Sequence, residues 1–211
     1  MAKSYWKNKV VLLTGASSGI GEALALEISK RGATLGLIAR REEFLRGIAQ
    51  KIKVAGGKVS YFPCDVTEKE KVFAAAESLR NEFGNIDIMI ANAGIAGNNR
   101  KTRSLDPDAV GNVINVNLLG AVNSVSAVLQ QMLEHKSGQL VAISSLAGFR
   151  GLPRSAAYSA SKAGMTAFFE SVRLDVQAKG VDVTIIQPGF IRTPLTSDRA
   201  NKMPFLMELE G

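Results

Sequence analysis

Cysteine and histidine are scarce in this chain of 211 residues, which contains only Cys64 and His135. One cysteine cannot form a disulfide within the chain, and one cysteine with one histidine cannot supply the ligands of a structural zinc site. We therefore expect no metal site. The single histidine also argues against mechanisms that pair a nucleophilic cysteine or serine with a histidine base. Any catalytic chemistry must come from other side chains.

Long apolar runs are also missing. No uninterrupted apolar stretch approaches the ~18–20 residues that a helix needs to cross a bilayer, and the N-terminus lacks the apolar segment of a secretory signal. We therefore expect no membrane span and a cytoplasmic location. The composition, with 46% hydrophobic and 21% charged residues, is typical of one globular domain. Residues 1–211 are predicted to form a single domain.

Positive charge exceeds negative charge, with 26 Lys and Arg against 19 Asp and Glu and a net charge of +7. An excess of this sign favours an anionic partner, such as nucleic acid, an acidic lipid surface or a phosphorylated cofactor. The sequence has no run of basic residues interleaved with aromatics and no zinc-finger or RNA-binding signature. We therefore expect no nucleic-acid partner, and the charge alone does not choose between the other two.

Short apolar runs alternate with longer stretches of helical periodicity, which predicts repeated βαβ units and an α/β fold with a parallel sheet. The predicted strands are 9–14, 34–39, 58–63, 86–91, 138–143 and 181–187. The predicted helices are 19–31, 42–55, 68–82, 107–135, which could be two helices in succession, and 156–178. The strands at 9–14 and 86–91 show little period-two alternation, which is typical of strands covered by helices on both faces. We place them in the middle of the sheet.

Two helix starts carry their own signals. Thr67 and Glu70 have the spacing of a capping box, which predicts that they open the third helix. Asp106 followed by Pro107 predicts an N-cap with proline at the first helical position of the fourth.

A glycine-rich turn follows the first strand and opens the first helix. Backbone amides and the helix dipole at such a turn can hold a pyrophosphate, and glycines let the phosphates approach closely. The spacing Gly-x-x-x-Gly-x-Gly is a variant of the usual dinucleotide fingerprint. The alternative is a turn that only tightens the strand against the helix. The turn consists of Thr14, Gly15, Ala16, Ser17, Ser18, Gly19, Ile20 and Gly21.

The second strand ends in Ala39, Arg40 and Arg41, with no carboxylate. Dinucleotide-binding folds place an acidic residue here for a ribose hydroxyl or a basic one for a 2′-phosphate. Two guanidinium groups therefore predict NADP(H) in preference to NAD(H). The alternative is a solvated arginine pair at a helix start. Asp65, after the third strand, either accepts a bond from the adenine amino group or is a plain turn residue.

Tyr158 and Lys162 stand four residues apart and therefore on one face of a predicted helix. A fixed ammonium group at ~4 Å would lower the pKa of a phenol by roughly three units, which brings an acid-base catalyst near neutral pH. A pair at this spacing is also common on helix surfaces, where the lysine only lies along the ring.

Further motifs decide between these readings, because they occur in the order and at the spacing of a known family. With the glycine turn and the Tyr–Lys pair, they make the chain resemble the short-chain dehydrogenase/reductase family along nearly its whole length. They are Cys64-Asp65-Val66, Ala91-Asn92-Ala93-Gly94, Asn117 in Asn-Val-Asn-Leu-Leu-Gly, Ser145 in Ile-Ser-Ser-Leu-Ala-Gly, Tyr158-Ser-Ala-Ser-Lys162, and Pro188-Gly189 followed by Thr193.

The resemblance implies a Rossmann-type, doubly wound parallel sheet with helices on both faces and hydride transfer between a nicotinamide cofactor and a carbonyl or alcohol. It implies that Tyr158 is the acid or base and that Lys162 lowers its pKa and holds the nicotinamide ribose. Ser145 would bind the substrate oxygen, with Ser144 as the register alternative, and Asn117 would hold a water that connects Lys162 to solvent.

The resemblance also assigns residues around the cofactor. Asn92 would brace the central strand beside the adenosine, while Ile191 and Thr193 would meet the nicotinamide carboxamide. Arg40 occupies the position of a base in NADP(H)-preferring members, and Ala39 that of an aspartate in NAD(H)-preferring members. The whole predicted cofactor site comprises Gly15, Ser17, Ser18, Gly19, Ile20, Gly21, Arg40, Arg41, Asp65, Val66, Asn92, Ala93, Gly94, Tyr158, Lys162, Pro188, Gly189, Ile191 and Thr193.

Members of this family usually continue through a lid into a seventh strand. We therefore expect a sheet without that last strand, with 189–211 as the start of a substrate lid. The apolar segment 203–207 could cover a hydrophobic substrate or fold against the core, and the substrate is expected to be a ketone or 3-oxoacyl-type carbonyl. Many relatives pair through helices corresponding to 107–135 and 156–178, which implies a homodimer or homotetramer.

Two other functions compete with an NADPH-dependent carbonyl reductase. A sensor or scaffold could bind the nucleotide without turnover, but such a protein has no need of Tyr158 beside Lys162. An epimerase or dehydratase could use the same pair with NAD, but Arg40 and the short C-terminal region argue against it.

Overall fold

The computed structural model describes residues 5–97 and 105–196. Its elements agree with the predicted ones to within two residues at each end. The strands are β1 (Val10–Thr14), β2 (Thr34–Ala39), β3 (Lys58–Pro63), β4 (Ile88–Ala91), β5 (Gly138–Ile143) and β6 (Val181–Ile186). The helices are α1 (Gly19–Lys30), α2 (Glu42–Val54), α3 (Lys69–Phe83), α4 (Pro107–Ile114), α5 (Gly120–Glu134) and α6 (Ala156–Val176).

The described strands form one parallel sheet in the order β3-β2-β1-β4-β5-β6. This is the predicted doubly wound, Rossmann-type fold, and β1 and β4 lie at its centre as expected. Six strands are present in the part of the chain that the structure describes, so the family's seventh strand is missing there, as predicted. The strand order reverses between β1 and β4, where the connections leave to opposite sides and open a crevice at the carboxyl ends of the strands.

Helices cover both faces of the sheet, so β1 is buried on both sides. Val10 and Leu12 point to the layer formed by α3, α5 and α6, whereas Val11 and Leu13 point to the layer formed by α1 and α2. All four side chains are at most 6% exposed. The lack of alternation in the sequence of β1 follows from this double burial.

The predicted helix 107–135 is one continuous helix, Pro107–Glu134, with a five-residue π-helical segment, Asn115–Leu119, between α4 and α5. Asp106 caps it as predicted, because its carboxylate accepts hydrogen bonds from the N–H groups of Asp108 and Ala109 at 3.0 and 3.4 Å. The helix is long and apolar enough to cross a bilayer. Its apolar side is nevertheless buried in the core, so it is the central helix of a packed domain.

The predicted capping box at Thr67 is wrong. Helix α3 begins at Lys69, its N-cap residue is Glu68, and no side chain caps it. The Thr67 hydroxyl instead donates to the Asp65 carboxylate, which also accepts from the Thr67 N–H, each at 2.9 Å. A capping hydroxyl would accept from an N–H of the first helical turn, whereas both donors of Thr67 are directed at the Asp65 carboxylate in an Asx-type turn.

One buried polar contact was not foreseen from the sequence. The Gln131 side chain on α5 is 5% exposed and accepts a hydrogen bond from the Ile86 N–H at 3.0 Å while donating to the Ile86 carbonyl at 3.4 Å. Ile86 precedes β4 and is fully buried. The glutamine therefore substitutes for a missing strand neighbour at the entrance to the central strand.

Substituting Gln131→Leu should lower the free energy of unfolding by about 2–4 kcal/mol, because two buried backbone groups lose their partner at about 1–3 kcal/mol each. The matched control is Gln130→Leu, since Gln130 is exposed and bonds only to Glu134 among the contacts described. Urea unfolding followed by circular dichroism measures both. Equal stability of the two variants would show that the Ile86 backbone finds another partner.

Candidate active site

The crevice between β1 and β4 opens into a cleft of about 450 Å³. The loops that follow the carboxyl ends of the strands form its walls. Of the residues predicted for the site, only Asn117 does not line it. Those that do are Gly15, Ser17, Ser18, Gly19, Ile20, Gly21, Arg40, Arg41, Asp65, Val66, Asn92, Ala93, Gly94, Ser145, Tyr158, Lys162, Pro188, Gly189, Ile191 and Thr193.

The glycine turn needs its glycines for two different reasons. Gly15 and Gly19 have left-handed φ angles of 67° and 58°. A Cβ on Gly21 would lie 2.2 Å from the Gly15 carbonyl oxygen, so this glycine allows α1 to pack directly on the turn. No side chain caps α1, which leaves the N–H groups of its first turn directed at the cleft. The close packing of α1 on the glycine turn therefore leaves the start of this helix open to bind an anion.

Asn92 ties the turn to the central strand. Its side-chain amide donates to the carbonyls of Thr14 and Gly15 at 2.9 and 3.2 Å. The Thr14 hydroxyl accepts from the N–H groups of Asn92 and Ala93 at 3.1 and 3.2 Å. These bonds hold the ends of β1 and β4 in place on the two sides of the crevice, which is the bracing role that the resemblance assigns to Asn92.

The two arginines after β2 take different positions. Arg41 lies over the glycine turn, where its guanidinium group donates to the hydroxyls of Ser17 and Ser18 at 3.0 and 2.9 Å. The same group lies 4.3 Å from the ring centroid of Phe44. The Arg40 side chain is 65% exposed and faces the Asp65 carboxylate at 3.6 Å. The serine hydroxyls and both guanidinium groups therefore form a cationic, donor-rich corner of the cleft.

Lys162 is buried, with 3% of the residue exposed, and its ammonium group donates to the Ile143 carbonyl at the end of β5 over 2.7 Å. Removal from water lowers its pKa from 10.5 to about 8. The residue is therefore still mainly charged at neutral pH. It forms no ion pair with any residue in 5–97 or 105–196.

Tyr158 and Lys162 share one face of α6, as the spacing predicts. The Lys162 Nζ atom lies 5.9 Å from the centroid of the Tyr158 ring, and both residues line the cleft. The phenol therefore lies near a buried positive charge, whose field is less screened than that of a surface lysine.

The two serines after β5, Ser144 and Ser145, have different surroundings. Ser144 is 3% exposed and its hydroxyl is engaged with α6, donating to the Lys162 carbonyl at 3.1 Å and lying 2.8 Å from the Thr166 hydroxyl. Ser145 is partly exposed in the cleft, and its hydroxyl accepts from the Ala147 N–H at 3.1 Å. Ser145, rather than the register alternative, thus has a hydroxyl proton that can be directed at a ligand.

Asn117 lies in the π-helical segment and is fully buried. Its side chain accepts from the Ile95 N–H at 2.8 Å and donates to the Ile95 carbonyl at 3.0 Å and to the Ser161 hydroxyl at 2.9 Å. Ser161 in turn donates to the Tyr158 carbonyl at 2.8 Å. The amide therefore connects the loop after β4 to α6, and a water on Oδ1 would share that oxygen with Ile95.

The loop after β6 closes the remaining side of the cleft. A Cβ on Gly19 would lie 3.2 Å from the Thr193 Cβ, so this loop reaches the glycine turn. Thr196, which sequence reasoning missed, folds the loop by donating to the Ile191 carbonyl at 2.6 Å and accepting from the Thr193 N–H at 3.0 Å. Residues 197–211, which include most of the predicted lid, lie outside the described residues.

Comparison with known families agrees with this geometry. Residues 9–204 match the family model described as short chain dehydrogenase. This chain belongs to the short-chain dehydrogenase family. It is accordingly an oxidoreductase, and the family uses nicotinamide cofactors.

Individual relatives of this short-chain dehydrogenase differ in what their names state. An uncharacterized oxidoreductase of Myxococcus xanthus is 44% identical over 95% of this chain and 79% of its own length. A 3beta-hydroxysteroid dehydrogenase of Mediterraneibacter gnavus is 35% identical over 89% of this chain and 68% of its own length. Among solved structures, levodione reductase superposes with a TM-score of 0.88 at 30% identity, covering 91% of this chain and 75% of its own.

A nicotinamide dinucleotide fits the residues present. A Cβ at position 15 would lie 2.7 Å from the Ala93 Cα, so the two loops approach each other only because Gly15 has none. A Cβ at position 94 would lie 3.3 Å from the Asn117 Oδ1 atom and 3.6 Å from the Lys162 Nζ atom, so a side chain there would crowd both polar groups. The uncapped start of α1 and the cationic corner offer donors for phosphates.

The buried ammonium group makes the stability of this dehydrogenase depend on pH. Folded Lys162 loses its proton near pH 8, whereas the unfolded chain keeps it to about pH 10.5. Between these values the unfolded state binds more protons, so the contribution of Lys162 to the free energy of unfolding rises with pH.

We expect the free energy of unfolding of the cofactor-free wild type to rise by about 2–3 kcal/mol relative to that of Lys162→Met between pH 7 and 10. Urea unfolding of both proteins at each pH measures this difference, and the subtraction removes the other titrating groups. A difference that stays constant with pH would show that Lys162 titrates in the folded protein as it does in water.

Proposed function

We propose that this oxidoreductase transfers a hydride between NADP(H) and a carbonyl compound or secondary alcohol, with Tyr158 as the acid-base catalyst. In reduction, Tyr158 gives its phenolic proton to the carbonyl oxygen. In oxidation, its phenolate takes the proton of the alcohol. The bound nicotinamide ring supplies the hydride or accepts it.

The observation that supports this proposal most strongly is the buried Lys162 beside Tyr158 in the cleft. A phenolate forms more readily near an ammonium group that water does not screen, because the two opposite charges stabilise each other. With its pKa at about 8, Lys162 still carries most of that charge at pH 7. The same ammonium group is the donor that would hold the nicotinamide ribose hydroxyls.

Ser145 and Asn117 support the proton transfer in different ways. Ser145 would donate to the substrate oxygen while negative charge develops on it, which is where a positioned donor lowers the barrier most. Asn117 would hold a water that passes protons between Lys162 and solvent. Its bonds to Ile95 and Ser161 fix the backbone on both sides of that path.

The cationic corner supports NADP(H) over NAD(H). Arg41 is already fixed by Ser17, Ser18 and Phe44, so few rotamers are lost when it binds a phosphate. Arg40 can exchange its contact with Asp65 for one with the same phosphate. A similar solved structure at 31% identity, with a TM-score of 0.89 and covering 94% of this chain and 76% of its own, is titled NAD+-bound xylitol dehydrogenase. The preference must therefore come from these arginines and not from the fold.

Tyr158→Phe should keep NADPH binding and lose turnover. The phenyl ring preserves packing but cannot transfer a proton, and such transfer contributes about 10²–10⁴-fold to the rate. NADPH binding is measured by fluorescence titration, and turnover by NADPH oxidation with a panel of ketones. Unchanged turnover in the variant would remove Tyr158 from the mechanism. NADPH binding without turnover of any carbonyl by the wild type would instead favour the sensor or scaffold function.

Arg41→Ala should weaken NADPH binding by about 10–100-fold more than NADH binding, since a charge-assisted bond to a phosphate is worth about 1.5–3 kcal/mol. The ratio of the two dissociation constants is the quantity to measure, because Arg41 also holds the serine turn that both cofactors would use. Arg46→Ala is the matched control on the exposed side of α2. Wild-type protein that binds NADH as tightly as NADPH would overturn the preference.

A further inference from the structure

Beyond the cofactor cleft, a second cavity of about 170 Å³ lies against Tyr158, which lines both cavities. It is formed by the start of α4, the loop after β4 and the segment that leads into α6. Its apolar lining comes from Ala96, Ala109, Val110, Val113, Leu152 and Pro153, and the polar residues Asp106, Arg154 and Ser155 also line it.

The polar residues around this cavity are engaged elsewhere or face solvent. The Asp106 carboxylate caps α4. Ser155 is 5% exposed and donates to the Pro153 carbonyl at 3.4 Å. Arg154 is exposed and has a left-handed φ of 60°, which turns the segment at the cavity entrance. A charged group placed inside would therefore lose water without finding a buried ionic partner among the described lining residues.

We infer that this cavity binds the uncharged hydrocarbon ring of a cyclic ketone or secondary alcohol whose oxygen faces Tyr158. The inference rests on the proposed function and names its substrate class. An apolar cavity of about 150 Å³ holds one benzene molecule, so 170 Å³ suits a single six-membered ring and not a fused ring system. Because Tyr158 lines both cavities, a ring held here can place its carbonyl beside the phenol, at the border with the cleft that would hold the cofactor.

Filling the cavity is the direct test. Ala109 is half-buried on α4 and lines the cavity, so Ala109→Leu puts a larger side chain into it while leucine maintains helix propensity. Asn112→Leu is the matched control, because Asn112 is exposed on the same helix and does not line the cavity. Leu152→Ala changes the cavity in the opposite direction and makes it larger.

Binding of cyclohexanone in the presence of NADP+ is measured by saturation-transfer NMR, where no hydride is available and no turnover can occur. Wild type and Asn112→Leu should bind cyclohexanone, and Ala109→Leu should bind it about tenfold more weakly, because a filled cavity removes the apolar surface that the ring would bury. Leu152→Ala should shift the preference toward 4-methylcyclohexanone. NADP+ binding, measured for each protein, verifies that the variant is folded.

Turnover gives the second measurement. With NADPH, Ala109→Leu should raise the KM for cyclohexanone about tenfold and leave acetone reduction within about twofold, since acetone has no ring to place. Equal cyclohexanone binding by wild type and Ala109→Leu, or none by wild type, overturns the inference, and so does an unchanged preference between cyclohexanone and 4-methylcyclohexanone in Leu152→Ala. Binding that depends on Ala109 without any turnover would instead overturn the proposed reaction and leave the ring site standing.

Discussion

The site depends on one interaction, the hydrogen bond between the buried Lys162 ammonium group and the Ile143 carbonyl at the end of β5. A cation out of water is costly unless donors and acceptors around it are fixed. Two contacts hold α6 against β5 at this point. The Ser144 hydroxyl binds the Lys162 carbonyl, and a Cβ on Gly148 would lie 2.8 Å from the Lys162 carbonyl carbon. Tyr158 lies on the same helix as Lys162, so the bond between Lys162 and β5 also fixes the position of the phenol relative to the sheet.

The π-helical segment extends this constraint to the other side of the crevice. A wider turn in a long helix is frequently found at functional sites, because it changes the direction of one side chain without ending the helix. Here that side chain is Asn117, whose amide joins Ile95 after β4 to Ser161 on α6. The loop after β4 and α6 are thus held at a defined separation. The second cavity, beside Tyr158, is lined by residues of that loop and of α6.

The sequence alone predicted the helices and strands and their order, because in each of them the spacing of apolar residues matches the face that the structure buries. The unalternating apolar run of β1 correctly placed it at the centre, and Asp106 correctly marked the start of α4. The family motifs located most of the cleft residues, since all of them but those of Asn117 and of Tyr158 and Lys162 follow the carboxyl end of a strand. Local patterns failed where a neighbour in space decided the outcome. Thr67 has the spacing of a capping residue, but its hydroxyl donates to the Asp65 carboxylate and does not cap the helix.

Contacts between distant segments could not have been predicted from spacing. The Gln131 side chain reaches Ile86 across 45 positions, and the Arg41 guanidinium reaches back to the serines before α1. The order of the strands brings the segment after β2 next to the glycine turn, because β2 lies beside β1. Of the two arginines, Arg41 lies over that turn, and Phe44, three residues further on, packs against its guanidinium group.

The two cavities divide the recognition of ligands between different parts of the chain. Loops after β1, β2 and β3 form the end of the cleft proposed for the phosphates and adenosine, whereas α4 and the segment before α6 contribute to the second cavity. Tyr158 is common to both, and no other residue lines both cavities among those described. Changes at the two distant ends share no side chain, so their effects on binding should add. Cofactor preference and substrate shape can therefore vary independently around one fixed phenol.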